Sequence, residues 1–482
     1  MMQLKSLFVK KDNNSSHSLL NLVFGFLPVS FILGSLVVNL NFFIFCCLGI
    51  YYLRSKILTT KFDFILKLIF LFFFIIFFST FLTFIKSLYF DEYSSSNLTR
   101  LIKSILFFRF FLFLVIVFFL SKYNILRFEY FFVIATLASI LLSLDIIYQH
   151  FFGADIIGLK TYEFRSSGFF GDENIAGGYL LRFGFFAIFF TILVFKKKFT
   201  KFIFPVIVVS ILGLAILFSG NRMPLILFFF GLLLIFLLNL KINKILLLGI
   251  LLMSVLFKFA ISSNDSYKNH LVGQYSSFIE EFENTFLTPF DINLFGGKGI
   301  QTWRRTKRGV DEEESVAKQK TTFYKDVKVR SSYMRFALAS YNTWKPSKIF
   351  GNGIKSFYTD CHKLAKDPEV RIEEDQFPGK KNMLCSNHPH NYYFQILTTT
   401  GIIGTLIIIS LAGLFMFFIF KNLKIIKKND ITNIILLSSI LSFFLEMFPI
   451  RSTGSFYTTN NITYIILIAS IIVSHKDLSK VK

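Results

Sequence analysis

Acidic residues are scarce in this sequence, which has 29 aspartates and glutamates against 52 lysines and arginines in 482 residues. All charged residues together make up 17% of the chain, whereas soluble domains carry about 25%. This shortage argues against an ordinary soluble protein. It also argues against a magnesium site, which needs carboxylates, because an acidic pair such as Asp91–Glu92 in an outer loop is only a weak signal for one.

Nucleic-acid binding is a second function class that the sequence does not support, although the formal net charge is +23. No RNA- or DNA-binding motif accompanies the basic residues. Many of them lie in short clusters between apolar runs, as expected for the cytoplasmic loops of a membrane protein. We find no cleavable signal peptide, because Lys5, Lys10 and Lys11 precede an apolar run without a small-residue cleavage site. We therefore expect this run to be the first membrane helix.

Apolar residues, in contrast, are abundant: 54% of the chain is hydrophobic and the mean hydropathy is +0.60. Runs of roughly 20 apolar residues, enough to cross a ~30 Å hydrocarbon core, recur along the chain. Because backbone polar groups in lipid must be satisfied within their own segment, each run predicts a helix. The sequence therefore predicts an all-α polytopic membrane protein with about 12 transmembrane helices. The predicted spans lie near 18–35, 37–53, 63–86, 98–120, 128–151, 174–195, 202–219, 223–240, 245–262, 391–420, 431–449 and 459–474.

Basic clusters set the orientation of these spans. With twelve spans, every cluster falls on one side of the membrane, which the positive-inside rule makes cytoplasmic together with both termini. The clusters are Lys5/Lys10/Lys11, Arg54/Lys56/Lys61, Lys122/Arg127, residues 196–201, Lys241/Lys244, residues 421–428 and Lys476/Lys480/Lys482. The chain thus divides into residues 1–262 with nine spans, a long outer segment over 263–390 that we expect to be mostly helical, and residues 391–482 with three spans.

Cysteines are few, and their positions differ in meaning. Cys46 and Cys47 lie inside a predicted span, where we expect plain apolar packing. Cys361 and Cys385 lie in the outer segment, where an oxidising compartment would join them in a disulfide. Zinc is the alternative for this region, but the spacing of the residues concerned fits no standard zinc pattern. Those residues are Cys361, His362, Cys385, His388 and His390.

Arginines on the outer side are the first candidates for a binding site. Arg222 lies at a membrane boundary, where a charge is costly and by default functional, although a snorkelling anchor is an alternative. Arg165 lies in a Ser/Gly-rich turn that enters a helix, and the backbone N–H groups of such a turn suit an anion. Arg335 and Arg451 lie in other outer segments. Together these arginines suggest a bidentate clamp for the phosphates of a lipid-linked diphosphate.

Two histidines stand at the start of a predicted membrane helix, in "SNHPHNYYF" (386–394). With an unperturbed pKa of about 6.5, His388 or His390 can take a proton from an attacking hydroxyl at neutral pH. Arginines can stabilise a diphosphate leaving group without a metal. Asn391 is a weaker candidate, which would orient an imidazole nitrogen or a sugar. The alternative is interfacial anchoring, in which these side chains and the following tyrosines mark the headgroup layer.

Five stretches of the chain, taken together, form a recognisable set. They are "FRSSGFFGDENIAGGYL" (164–180), "SGNRMPL" (219–225), "RFALASYNTWKPSKIFGNGIKSF" (335–357), "HPHNYYFQILTTTGIIG" (388–404) and "FPIRSTGSFYTTN" (448–460). In this order, with a long outer loop before the His-Asn motif, the chain resembles the bacterial O-antigen ligase and O-antigen polymerase superfamily. The family often has an acidic residue two positions before the glycine of that motif, where this chain has Thr399.

The resemblance implies an inner-membrane glycosyltransferase that takes a glycan from undecaprenyl diphosphate at the periplasmic face without a metal or other cofactor. Carried over onto this chain, Arg222 and Arg335 hold the diphosphate, with Arg165 as a helper. His390, which is followed by Asn391, is the catalytic base, with His388 second. Ligases pass the glycan to lipid A–core and polymerases pass it to another lipid-linked repeat unit. We favour a ligase, with a polymerase as the alternative and transfer to a protein hydroxyl as a third option.

A transporter with twelve spans is the rival from another class. It would predict two similar halves, usually joined by a central cytoplasmic linker, and a polar site near the membrane midplane. This sequence shows no internal repeat, and its long linker follows the ninth predicted span on the outer side. The candidate arginines and histidines lie at that same outer face. These features favour the transfer enzyme.

Overall fold

The computed structural model describes residues 17–54, 62–89, 95–161, 165–195, 197–238, 242–262, 273, 276, 332–364, 386–426 and 431–475. Helices dominate these residues, and the only β-type pairing among them is an isolated bridge between Ala154 and Lys160. The helices are α1 (Ser18–Gly25), α2 (Leu27–Leu33), α3 (Ser35–Leu53), α4 (Phe64–Tyr89), α5 (Ser95–Leu106), α6 (Phe108–Lys122), α7 (Phe128–Phe152), α8 (Ala176–Val194), α9 (Lys198–Phe218), α10 (Arg222–Leu237), α11 (Asn243–Ser262), α12 (Ser332–Trp344), α13 (Ser356–Leu364), α14 (Tyr392–Ile426), α15 (Ile431–Glu446) and α16 (Thr459–Val473).

The predicted all-α polytopic fold is confirmed. Each of the 12 predicted spans coincides with described helix. Within the described part of the chain, 8 helices are long and apolar enough to cross a membrane, and α10, α15 and α16 are shorter apolar helices. The first predicted span is divided into α1 and α2, with Pro28 in the first turn of α2. Proline is tolerated there because its missing N–H has no helical partner in that turn.

Phenylalanine side chains fill much of the space between the helices. The rings of Phe131 and Phe186 join α7 to α8 with centroids 5.4 Å apart and planes at 89°. Such edge-to-face pairs are favourable because the positive ring edge meets the negative ring face. In lipid, close packing of this kind holds helices together, because the surrounding hydrocarbon is as apolar as the side chains.

One end of the bundle collects the starts of α8, α10 and α14 and the ends of α9 and α15. The N–H of Gly177 donates to Asn221 Oδ1 (3.0 Å), which joins the start of α8 to the turn between α9 and α10. Arg182 of α8 bonds Glu446, the last residue of α15, and Tyr392, the first residue of α14, bonds the same carboxylate. We call this end of the bundle the histidine end, because His388 and His390 immediately precede α14.

Helix α14 is interrupted at Gly401, whose φ of 64° and ψ of −160° are not helical. Residues 348–353 lie alongside the interruption and pair with the backbone groups around it. The bonds run from Ile402 N to Lys348 O (3.0 Å), Ile403 N to Ile349 O (3.3 Å), Asn352 N to Thr398 O (2.9 Å) and Gly353 N to Thr399 O (3.0 Å). Irregular backbone at membrane depth is tolerated where protein satisfies it. Residues 348–353 therefore satisfy backbone groups around the break in α14 and fix its position.

Side chains from neighbouring helices hold the same segment. Ser79 of α4 donates to the carbonyl oxygen of Thr399 (2.6 Å), and Arg100 of α5 donates to the carbonyl oxygens of Ile354 (2.8 Å) and Asn352 (2.5 Å). Arg100 is buried, so its guanidinium donates to backbone carbonyls in place of water. Thr399, which stands where the family often has an acid, is itself buried and donates to Gln395 O (2.7 Å).

The predicted outer segment is described only in part. Residues 332–364 form α12, a short 3-10 turn over Lys345–Ser347, and α13, which agrees with the expected helical character. The rest, apart from residues 273, 276 and 386–390, lies outside the described residues, as do both chain termini. Cys361 is buried in α13 and disulfide-bonded, whereas Cys46 and Cys47 are free thiols. The predicted partner Cys385 lies outside the described residues, so this pairing stays a prediction.

Candidate functional site

His388 and His390 form a ring pair at the histidine end. Their ring centroids are 4.3 Å apart with planes at 47°, and both side chains are half-buried. His390 has a φ of +52°, a left-handed conformation that is uncommon for residues other than glycine. This backbone turn allows two imidazoles separated by one proline to lie on the same side of the chain. Strained backbone of this kind persists only where the surrounding structure determines it.

The surroundings of the pair do determine it, because the 449–453 segment pairs with the histidine segment. The N–H of Thr453 donates to the carbonyl oxygen of His390 (2.9 Å), and the amide of Asn391 donates to Pro449 O (2.6 Å). On the other side, Ser386 Oγ donates to the carbonyl oxygen of His388 (2.5 Å). The histidine backbone is thus held from both sides.

Burial tunes both imidazoles toward the neutral form. Loss of solvation lowers the pKa of His388 to about 4, with a further contribution from the neighbouring His390 and an opposing one from a hydrogen bond with the Thr453 backbone. Burial also lowers the pKa of His390. A neutral imidazole has a lone pair that can accept a proton. At neutral pH the pair is therefore in the form that a general base requires.

Asn391, a predicted substrate contact, caps a helix in the structure. Its Oδ1 accepts from the N–H groups of Tyr393 (2.9 Å) and Phe394 (3.2 Å) at the start of α14, and its Nδ2 bonds Pro449. Asparagine is a preferred N-cap because its carbonyl satisfies N–H groups that have no helical partner. The buried amide therefore orients the His390 backbone from the helix start.

Helix α12 brings the predicted Arg335 to the same place. The ring of Phe336, its sequence neighbour, lies 4.8 Å from the His390 ring, and Tyr333 lies 5.4 Å from Phe394 of α14. These contacts dock α12 against the start of α14. The structure therefore places the backbone of Arg335 beside the histidine pair, although 55 positions separate Arg335 from His390 in the sequence.

Arg165 and Arg222 belong to two stretches that the fold brings together. The N–H of Ser166 donates to Phe218 O (3.0 Å), and a Cβ added to Gly220 would lie 2.8 Å from Cγ of Arg165. The side chain of Arg165 thus lies over the turn that leads into Arg222. Its Nε is buried and makes no hydrogen bond within the described chain, which leaves a charged donor for an incoming acceptor.

Arg222 occupies the first position of α10 and is half-buried. Helix dipoles favour cations at the C-terminus and disfavour them at the N-terminus. A cation at this position gains nothing from its own helix, whereas an anion there would be attracted by the guanidinium and by the helix N-terminus. Asn221 locks the turn by donating to Asn174 O (3.0 Å) and accepting from Gly177 N (3.0 Å).

A buried ion cluster joins the elements of this end, and sequence reasoning identified only one of its three charges. Glu446 bonds both Arg182 of α8 and Arg451 of the 449–453 segment. Arg451, a predicted substrate contact, is buried, and its Nη1 is engaged with Glu446 and the carbonyl oxygen of Leu445. Arg182 and Glu446 escaped attention although charges inside apolar spans are rare and mark functional regions. That signal would have found both.

The structure also bears on the zinc alternative. Cys361 is disulfide-bonded, and a sulfur in a disulfide is not the thiolate that binds zinc. Cys385 lies outside the described residues. The bonded state of Cys361 therefore argues against a zinc site that includes this residue.

A comparison with protein families gives one match. The profile of the O-antigen ligase family matches residues 206–409, which include Arg222, Arg335, His388 and His390. The match covers less than half of the chain and supports the resemblance to the O-antigen ligase and O-antigen polymerase superfamily. No curated protein matches the chain significantly.

Proposed function

We propose that this chain transfers a glycan from a polyprenyl diphosphate to an acceptor hydroxyl, and the match of the O-antigen ligase family profile to residues 206–409 supports this proposal. In the favoured version the donor is an undecaprenyl-diphosphate-linked glycan and the acceptor is lipid A–core. The reaction takes place at the periplasmic face of the bacterial inner membrane, with both termini in the cytoplasm. The polymerase version uses the same chemistry with a second lipid-linked glycan as the acceptor.

The observation that carries the proposal is a close histidine pair at the same end of the bundle as the segments of Arg165 and Arg222. His388 and His390 have ring centroids 4.3 Å apart. Arg165 lies over the turn before Arg222 and has a buried Nε without a partner in the described residues. Transfer from a glycosyl diphosphate requires a base for the acceptor hydroxyl and a cationic site for the leaving diphosphate. The proposal assigns both groups to this end of the bundle.

The proposed step follows from these roles. The acceptor oxygen attacks the anomeric carbon of the donor sugar while His390 takes the hydroxyl proton. The bond from the anomeric carbon to the diphosphate oxygen breaks, and its electron pair leaves with the diphosphate. Arg222 and Arg335 hold that diphosphate, with Arg165 as a helper, so the developing negative charge is stabilised where it forms. His388 supports His390 or replaces it as the base.

Asn391 and Arg451 take supporting roles in this proposal. The amide of Asn391 and the Nη1 of Arg451 are engaged inside the protein. The bond of Asn391 to Pro449 connects the histidine segment to the 449–453 segment, and Arg451 connects the 449–453 segment to Glu446 at the end of α15. The proposal therefore assigns substrate contact first to the other predicted residues.

Transfer by the purified full-length chain tests the proposal. The chain is incubated with an undecaprenyl-diphosphate glycan, lipid A–core and an acceptor protein, and glycan on each lipid and on the protein is measured. Glycan on lipid A–core supports the ligase, longer glycans on the polyprenyl carrier support the polymerase, and glycan on a protein hydroxyl supports the third option. Absence of transfer to any acceptor contradicts the proposal.

A histidine at the opposite end of the bundle provides the matched control. His17 immediately precedes α1 and its ring contacts Tyr52 with centroids 4.8 Å apart. His17→Ala removes an imidazole without touching the histidine end. We expect it to transfer like the wild type, whereas His390→Ala loses transfer by a factor of about 10² to 10⁴, the usual contribution of general acid–base catalysis.

A further inference from the structure

Glu446 is the point at which four elements of the histidine end meet. Its carboxylate is buried, with 1% of the side chain exposed, at the last position of α15. It accepts four hydrogen bonds, from Arg182 Nε (3.0 Å), Arg182 Nη2 (2.6 Å), Tyr392 Oη (2.8 Å) and Arg451 Nη1 (2.5 Å). Two carboxylate oxygens offer about four lone-pair sites. The carboxylate is therefore fully engaged within the protein.

The partners of Glu446 are themselves anchored. Arg182 also donates to Asn461 Oδ1 (2.7 Å), and its guanidinium lies 4.8 Å above the ring of Tyr464. Arg451 also donates to the carbonyl oxygen of Leu445 (3.3 Å). The cluster thus connects α8 and α16 with the segment that follows α15. A guanidinium with several fixed contacts holds its partner in a defined direction.

Two short paths lead from Glu446 to the histidines. Tyr392, which donates to Glu446, is the second residue after His390 in the chain. Arg451 is the second residue before Thr453, whose N–H donates to the carbonyl oxygen of His390 (2.9 Å). Glu446 therefore holds both the segment that carries the histidines and the segment that pairs with it.

We infer that Glu446 is a positioning residue for the histidine pair: it ties Tyr392 to Arg451 and so fixes the two segments that set both imidazole rings. The kinetic part of this inference rests on the proposed function. The physical reason for linking the segments through charged groups is that such a network favours one conformation. A buried ion cluster is weak evidence for stability, but a fully satisfied polar network favours one arrangement of its members over others.

Charge compensation is the competing explanation, since Glu446 also neutralises one of the two arginines of the cluster. The two explanations can be distinguished by variants that change the net charge of the cluster independently of the link between Tyr392 and Arg451. In Glu446→Gln the cluster loses its anion and leaves two arginine charges. In the double variant Glu446→Gln/Arg451→Gln, one arginine remains, so the net charge of the cluster returns to its wild-type value while the tie stays broken.

Kinetics provides the first readout. For Glu446→Gln we expect kcat to fall about 10-fold to 100-fold, as for catalytic groups displaced by about 1 Å. The KM for the polyprenyl donor should change little, because the arginine segments stay in place. The double variant should regain thermal stability without regaining kcat. Wild-type kcat in the double variant would show that Glu446 only compensates charge, and would overturn the inference.

Chemical modification of the histidines provides a second readout that needs no catalysis. The full-length protein is treated with diethyl pyrocarbonate, and the modification rates of His388 and His390 are followed by mass spectrometry. We expect both to react several-fold faster in the two Glu446 variants, because the rings are no longer held. Wild-type rates in both variants would overturn the inference, even if the wild-type protein transferred no glycan and the proposed function had failed.

The chain offers a matched control for the carboxylate. Glu129 lies near Arg127 (4.0 Å) at the opposite end of the bundle, where both side chains are partly exposed. Glu129→Gln makes the same chemical change in a surface pair, which contributes about 0–1 kcal/mol. It should leave kcat and both histidine modification rates unchanged. Faster histidine modification in this control as well would show a general loosening and would contradict a role specific to Glu446.

Discussion

The side chain of Arg165 lies directly over Gly220. A Cβ built on Gly220 would come within 2.8 Å of Cγ and 3.3 Å of Cδ of Arg165. This contact joins two stretches that are 55 positions apart in the sequence. It also places one proposed diphosphate ligand on the turn that carries another, Arg222.

Replacing Gly220 by alanine should disturb this arrangement. Gly220 has a φ of +68°, which strains any other residue, and the added methyl group would push against Arg165. We expect kcat/KM for the polyprenyl donor to fall about 10-fold to 100-fold, the scale of a small misplacement. Gly178→Ala is the control, because a Cβ there meets nothing within 4 Å. Equal kinetics for the two variants would argue against a placed Arg165.

Arg222 and Arg335 should be the most sensitive arginines. Under the proposed mechanism, alanine at either position removes a charged donor from the leaving diphosphate, and we expect a loss of about 10² to 10³ in kcat. Lysine should restore only part of it, because an ammonium lacks the planar fork of donors with which a guanidinium binds two phosphate oxygens. Expression and membrane insertion, followed by a C-terminal tag, should stay normal. Wild-type-like transfer by either alanine variant would refute the arginine clamp.

The pH dependence of transfer reports the environment of the base. Burial lowers the pKa of His390 and lowers that of His388 to about 4. Only the neutral ring can accept a proton, so a lowered pKa extends activity to lower pH. The acidic limb of kcat/KM should therefore have its midpoint below the ordinary histidine value of about 6.5. A midpoint at or above that value, measured between pH 4.5 and 8, would contradict a buried neutral base.

The break in α14 gives a prediction on stability. Alanine at Gly401 meets a left-handed φ of +64° and places its Cβ 2.6 Å from the Gly351 nitrogen. We expect the variant to lose about 1–3 kcal/mol, the cost of one strained backbone position. Gly413 lies in the same helix with nothing within 4 Å of an added Cβ, so Gly413→Ala should gain about 0.5–1 kcal/mol. Thermal unfolding in detergent measures both, and a Gly401→Ala protein as stable as the wild type would exclude the packed break.

The membrane spans could be predicted from the sequence because their signals are local. Run length and the absence of charge define an apolar helix without knowledge of its neighbours. The break at Gly401 could not be predicted in this way, since "GIIGTLIII" contains no proline and reads as continuous helix. It exists because residues 348–353 supply the missing hydrogen bonds, and that pairing is a tertiary feature.

The candidate site also combines residues that a local pattern reveals with contacts that depend on tertiary packing. Arg222, His388 and His390 stand out because polar groups at the end of an apolar run are visible in one dimension. Glu446 could not be connected to them, since its partner Arg182 lies 264 positions away. The helix-capping role of Asn391 is local and could have been predicted, but its bond to Pro449, 58 positions further on, could not. Pair relationships of this range are set by helix packing rather than by local pattern.

The most direct test of the central claim is made in a cell that lacks this gene and carries either the wild type or His390→Ala. Lipopolysaccharide is separated on a gel, and undecaprenyl-linked glycans are measured from the same cells. The proposal predicts long glycans stranded on undecaprenyl and bare lipid A–core with His390→Ala, and normal pools with the wild type. Single repeat units on both carriers would instead identify the polymerase. Identical pools in the two strains would contradict glycan transfer by this protein.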